Sequence, residues 1–164
     1  MSVQFPDFYE GGWPDRELLM CDLTQRWLDL LTPAGAAYTW LPDDLETQLD
    51  AGRVLVRIHR GGLGAEGLYD AAAVQVVTIA ATRADSWAVM EYLRQMILSY
   101  EHGGAVRRED GTISHIAFVE ELVGPQQIFE LDLDERMVPA TFRIECRLPT
   151  TTPDYARIRE SMPL

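Results

Sequence analysis

Residues 70–81 form an apolar run that carries hydrophobic side chains on both of its alternating faces. Val74 and Val76 occupy one face, and Val77 and Ile79 occupy the other. A strand with this pattern is typical of a sheet that is covered on both sides. We therefore expect a strand here with a helical layer against one face and a second cover, such as a neighbouring subunit, against the other.

A helix is predicted directly after this strand. Thr82 with Asp85 three residues later is the signature of a helix N-terminus, and apolar residues then recur at three- and four-residue spacing to residue 100. An earlier amphipathic helix is predicted to begin at Pro14 and Asp15. Its Leu19 and Leu23 face inward, and Arg16 falls on the polar side.

Four strands are predicted, at 53–60, 70–81, 113–123 and 140–148, and the first two form a hairpin around a glycine-rich loop. The segment 126–136 fits either a further strand or a long acidic loop. The predicted fold is an α+β domain with a mainly antiparallel four-stranded sheet, two helices on one face, and the order α-β-β-α-β-β.

We expect residues 1–149 to form a single domain that begins with an irregular arm over 1–13. Residues 150–164 are predicted to be a tail that is flexible or is ordered by a partner. Trp40 is expected in the core.

The charge is strongly acidic, with 26 acidic residues, 14 arginines, no lysine and a net charge of −12. Such a surface repels phosphate backbones, so nucleic-acid binding is not expected, although DNA would slide past it. Cys21 and Cys146 are expected to be buried free thiols. The apolar runs fall short of the roughly 20 residues that a membrane span requires, and neither a membrane segment nor a signal peptide is predicted.

No pattern in the chain predicts catalysis. The serines lack a nucleophile elbow, the three histidines are scattered, and the glycine-rich loop precedes a strand rather than a helix. The acidic residues of 130–135 lack the order of a calcium loop. We predict no catalytic residue, no metal site and no cofactor; a small metal-dependent enzyme built on the acidic segment is the least favoured alternative.

Several stretches resemble the tail-terminator (tail-completion) proteins of long-tailed bacteriophages, particularly those that infect actinobacteria. They are the hairpin strand at 53–62, the pair Tyr69 and Asp70, the strand and helix at 74–98, the strand and break at 119–125, and the strand at 138–147. The resemblance extends over roughly residues 42–148.

The resemblance implies a subunit of a ring, expected to be a hexamer, that caps the tail tube, stops its polymerisation and joins it to the head-completion or connector proteins. DNA would pass through the ring without sequence-specific binding. The protein would belong to the tail–neck junction of the virion and assemble in the host cytoplasm. Another neck protein, such as a head-completion or connector-like subunit, is the alternative.

Three groups of residues are assigned to this function. The subunit interface is expected to contain Arg57, Val77, Ile79, Arg143, Glu145 and Arg147, with the charged members pairing between neighbours or lying on a solvated strand face. The loop with Gly62, Leu63, Gly64 and Glu66 is expected to contact the tail tube. Glu130, Asp132, Asp134 and Glu135 are expected to face the lumen.

Overall fold

The helices and strands follow the apolar patterning, with several short elements added. A computed structural model describes residues 3–9, 13–66, 68–127, 136–147 and 153–162, with the backbone alone of Glu66. Within them the helices are α1 (Arg16–Leu28), α2 (Leu45–Asp50), α3 (Arg83–Leu98) and α4 (Tyr155–Glu160). The strands are β1 (Ala36–Tyr38), β2 (Leu55–Arg60), β3 (Ala65–Glu66), β4 (Tyr69–Ile79), β5 (Gly104–Arg107), β6 (Ile113–Val123) and β7 (Val138–Arg147).

The sheet is larger than predicted and is mixed. Six strands run in the order β1-β2-β4-β7-β6-β5, and β3 pairs with β4 beside that path. β1 lies parallel to β2, and every other pairing is antiparallel. The prediction of a four-stranded antiparallel sheet with two helices is therefore wrong. The four long strands and the hairpin of β2 with β4 are present, whereas the added strands have two to four residues and too little alternation to detect.

The inner face of the sheet carries the main core. α1 contributes Leu19 and Leu23, α3 contributes Met90 and Leu93, and these pack with the inward side chains of the central strands, such as Phe142. All five side chains are 1% exposed or less. The two predicted helices do share one face, as expected from their apolar stripes.

The opposite face of the sheet, here called the outer face, is partly covered by α2. A second apolar cluster joins Leu49 of α2 to Leu55, Val77 and Ile79. Val77 and Ile79 are 9% and 2% exposed in the single chain. The two-sided apolar character of β4 is thus explained at this end by a helix of the same chain.

The predicted helix starts are confirmed by their capping bonds. The Asp15 carboxylate accepts hydrogen bonds from the backbone N–H groups of Glu17 and Leu18, at 2.8 and 3.3 Å. Thr82 Oγ1 accepts from the Asp85 N–H at 3.2 Å. Both caps satisfy backbone donors that a helix leaves free at its first turn.

Candidate functional site

The half of the outer face away from α2 carries the alternating charges of β7. Arg143 lies opposite Ala73 of β4, and Arg147 lies opposite Tyr69. Within the strand, Arg143 Nη2 forms a 2.5 Å ion pair with Glu145 Oε1. These three charged side chains therefore share one face of β7, where Arg143 and Glu145 are partly buried and Arg147 is exposed.

Arg57 lies apart from this row. It is opposite Val77, four residues along β4 from Ala73, which separates Arg57 from Arg143 by about 13 Å along the strand. Its guanidinium carbon is 5.9 Å from the centroid of the Trp40 ring. Trp40 is 77% exposed, so its expected place in the core is wrong, and it forms an aromatic rim beside Arg57.

Two arginines on the outer face have an unused donor. The Nε atoms of Arg57 and Arg143 are buried, and neither has a hydrogen-bond partner within the described chain. A buried N–H without an acceptor costs free energy, about 1–3 kcal/mol, until an acceptor is supplied. A carboxylate of another protein chain would reach such an Nε only if the arginine side chain turned outward.

The glycine-rich loop between β2 and β4 is open to solvent. A Cβ placed on Gly62 or Gly64 would meet nothing within 4 Å. Leu63 and Leu68 are 50% and 66% exposed. Of the four residues expected to contact the tail tube, Gly62, Leu63 and Gly64 lie in the loop, and Glu66 lies in the short strand β3. The loop thus presents apolar side chains at one end of the molecule.

The expected lumen-facing residues Glu130, Asp132, Asp134 and Glu135 lie outside the described residues. They follow β6 and precede β7 in the chain. Arg136 follows this segment in the chain, and its Nη2 is 3.5 Å from Glu46 Oε2 of α2.

A groove, here called the edge groove, lies between α1 and the two edge strands of the sheet. Its volume is about 490 Å³. It is lined by residues of α1, β1 and the β5–β6 turn: Cys21, Asp22, Gln25, Arg26, Ala37, Arg107, Arg108 and Glu109. Burial and the nearby carboxylate of Asp22 raise the pKa of the Cys21 thiol to about 12, so this cysteine is a poor nucleophile.

Aromatic side chains from both ends of the chain meet on the surface. The rings of Phe8 and Tyr155 make an edge-to-face contact with centroids 6.4 Å apart, and Phe5 packs against Tyr9 at 4.8 Å. Phe5 is 63% exposed and Tyr155 is 43% exposed. Apolar surface of this kind is common where proteins meet.

Sequence reasoning missed one buried ion pair. Arg16 is 0% exposed, its guanidinium contacts the Asp70 carboxylate, and its Nη2 also donates to the Asp70 carbonyl oxygen at 3.1 Å. The pair ties the start of α1 to the start of β4. The polar residue Asp70 at the edge of an apolar run was the one available signal.

The described residues show no arrangement suited to metal chemistry or membrane spanning. They contain no group of three or more histidine, cysteine, aspartate or glutamate side chains placed to hold a metal ion. Among the same residues, no helix is long and apolar enough to cross a bilayer.

A family model described as phage tail termination protein matches residues 12–153. The chain belongs to this family. The match includes every strand, the first three helices, the charged row of β7 and the edge groove. No curated protein matches the chain. The family is structural, so the protein is a bacteriophage tail component and a part of the virion.

Proposed function

We propose that this tail terminator forms a ring, a hexamer in the simplest case, on the end of the tail tube. The ring stops addition of tube subunits and provides the joint to the head-completion or connector proteins. It assembles in the host cytoplasm, and its acidic surface lets DNA pass through the centre without adhering.

The outer face carries this proposal. Arg57 and Arg143 each hold a buried Nε without a partner in the described chain, and the row of Arg143, Glu145 and Arg147 lies on one face of β7 with Arg147 exposed. An interface that supplies carboxylates to the partly exposed side chains of these arginines gains charge-assisted hydrogen bonds and fixes the register of neighbouring subunits. Val77 and Ile79 would contribute to the interface indirectly, because they are packed under α2 and hold the outer face in place.

The loop from Gly62 to Glu66 supports a contact with the tail tube. It combines glycines that have free space around them with the half-exposed Leu63. A loop of this kind can adapt to a tube subunit and bury its apolar tip there.

Tail length in the phage tests the function. A phage lacking this protein is expected to produce over-long tails because nothing stops tube growth, and the wild-type gene supplied in trans should restore one length. Tails of normal length that remain unattached to heads would instead indicate a head-joining neck protein. Turnover of a substrate that requires a metal and the acidic segment would support the enzyme alternative.

Subunit number in solution tests the interface. We expect the double change Arg57→Ala and Arg143→Ala to shift the ring towards monomers in sedimentation experiments. Arg60→Ala is the matched control, because Arg60 is an exposed arginine of the same strand, β2, and its side chain forms no ion pair within the described chain. Equal assembly of all three proteins would contradict the proposed interface.

A further inference from the structure

The edge groove lies between the two unpaired edges of the sheet, and these edges differ. At β1, the side chain of Gln25 takes the place of a neighbouring strand: its Oε1 accepts from the Ala37 N–H at 2.8 Å, and its Nε2 donates to the Gly35 carbonyl oxygen at 3.2 Å. One donor and one acceptor of this edge are therefore satisfied within the chain.

The edge of β5 is open. The Arg108 N–H donates to the Thr112 carbonyl oxygen at 2.8 Å. Because hydrogen-bonded pairs alternate along an antiparallel ladder, the backbone groups of Ala105 and Arg107 point away from β6. Within the described chain they have no partner. An extended segment placed along β5 would pair with them.

The edge groove has a small excess of positive side chains on an acidic protein, with Arg26, Arg107 and Arg108 against Asp22 and Glu109. Arg26 and Arg107 are exposed and form no ion pair within the described chain. Arg108 forms a 2.5 Å ion pair with Asp22, which holds the β5–β6 turn against α1. Three of the 14 arginines therefore gather where an incoming segment would lie, which favours a segment rich in carboxylates.

We infer that the edge groove binds the acidic segment 128–135 of a second copy of this chain. The segment carries Glu130, Asp132, Asp134 and Glu135, with Leu131 and Leu133 between them. Its carboxylates pair with Arg26 and Arg107, and its backbone pairs with the open edge of β5. The inference rests on the proposed self-assembly and specifies one of its contacts.

The distances within one chain require the second copy. Arg107 pairs with Ile113 at the start of β6, and Val123 at the end of β6 is about 30 Å away. The segment is anchored at that far end, where the Gln126 N–H donates to the Pro139 carbonyl oxygen at 3.1 Å. Its eight residues, fixed at both ends, extend by roughly 17 Å at most, so the backbone cannot lie along β5 of its own chain.

The contact is therefore head-to-tail, with a groove on one subunit and a segment on the next. Such a heterologous contact generates a ring when its rotation closes. This placement puts the acidic segment at the boundary between subunits, in contrast to the expectation that it faces the lumen.

Paired charge reversals test the inference. The groove variant carries Arg26→Glu and Arg107→Glu, and the segment variant carries Asp132→Arg and Asp134→Arg. Both leave the Arg108–Asp22 pair intact. Each variant alone is expected to self-associate at least about tenfold more weakly in sedimentation experiments, because like charges then face each other. A variant that carries all four changes is expected to assemble again.

Mixing the two weakened variants gives a sharper result. The wild-type groove of one variant binds the wild-type segment of the other, and the reversed groove binds the reversed segment, so the mixture should form rings of alternating copies although neither variant assembles alone. Arg60→Glu is the control for charge reversal outside the groove and should assemble normally. Circular dichroism and thermal midpoints verify that every variant is folded.

Three results would overturn the inference: a wild-type chain that stays monomeric at every concentration, a segment variant that assembles normally, or a four-change variant that does not assemble. A segment variant that assembles normally is also the result expected if the acidic residues line the channel. The tail-length experiment distinguishes a failure of the groove contact from a failure of the proposed tail-terminator function. Long tails in the deletion phage, together with full rescue by both folded variants, would refute the groove contact and leave tail termination standing.

Discussion

The guanidinium of Arg16 is fully buried at the first turn of α1, where helical periodicity alone puts it on the solvent side. Its partner Asp70 lies 54 residues further along the chain. A sequence pattern reports the spacing of neighbours within an element and carries no information about which distant residue neutralises a charge. The prediction for Arg16 was wrong for that reason. The prediction for Trp40 was wrong for another, because Trp40 lies in a bend between β1 and α2, where no periodicity assigns its side chain to a face.

The buried pair makes Asp70 a sensitive position. Asp70→Ala is expected to lower the free energy of unfolding by about 3–5 kcal/mol, because it leaves the buried charge of Arg16 unpaired. Urea unfolding measures the change. Glu91→Ala removes the exposed partner of Arg94 and should cost less than about 1 kcal/mol.

A double change examines the cause of that loss. Arg16→Met combined with Asp70→Ala removes both charges and should recover much of the lost stability, since a buried pair can often be replaced by apolar side chains. A double variant no more stable than Asp70→Ala would indicate that the pair acts through its contacts with the backbone.

The reactivity of Cys21 depends on pH in a defined direction. Burial, followed by the charges of Asp22 and Glu17, raises the pKa of its thiol from 9.0 to about 12. At pH 8 the thiolate fraction is then roughly a thousandfold below that of an unperturbed thiol. We expect alkylation of a Cys146→Ala variant to keep accelerating above pH 9. A rate that levels off near pH 9, as it should after unfolding in urea, would contradict this.

At the scale of elements, prediction succeeded where patterns were long. β4 and α3 each extend over more than ten residues, and their apolar positions repeat several times, so the period of each element is clear from the sequence. For α3, the cap residue Thr82 indicates the same start as the period. β1 has three residues and β5 has four. Neither is long enough to establish an alternation, and the parallel pairing of β1 with β2 depends on tertiary packing.

The connection from α3 to β5 depends on one glycine. Gly103 has a φ of +83°, and a Cβ there would lie 2.9 Å from the Ile116 carbonyl oxygen. Gly103→Ala is expected to destabilise the protein by about 1–3 kcal/mol through backbone strain and this close approach. Thermal unfolding measures the loss of stability. Gly62→Ala is the control, because a Cβ at Gly62 meets nothing within 4 Å, and it should change stability by less than about 0.5 kcal/mol. Equal effects would show that Gly103 can relax.

At the scale of the whole molecule, the surfaces available for assembly are separated. The outer face, the glycine loop, the edge groove and the aromatic contact between Phe8 and Tyr155 involve different elements. A ring subunit needs at least two different surfaces for its neighbours and further ones for the tube and the head. The alternating charges of β7 were readable from sequence, whereas the edge groove arises only when the edges of a curled sheet meet α1.

The net charge predicts how the whole molecule behaves towards DNA. With 26 acidic residues against 14 arginines, the protein repels a duplex at long range, so we expect binding weaker than about 10⁻⁴ M, the weak end of ordinary non-specific affinity. Lowering the salt concentration should weaken it further, because screening of the repulsion is removed. Electrophoretic mobility shifts over a salt series measure this, with a basic DNA-binding protein as the positive control. Retention of the duplex that strengthens at low salt would mean that the arginines of the edge groove or of β7 bind phosphate, and DNA would then not slide freely through a ring of these subunits.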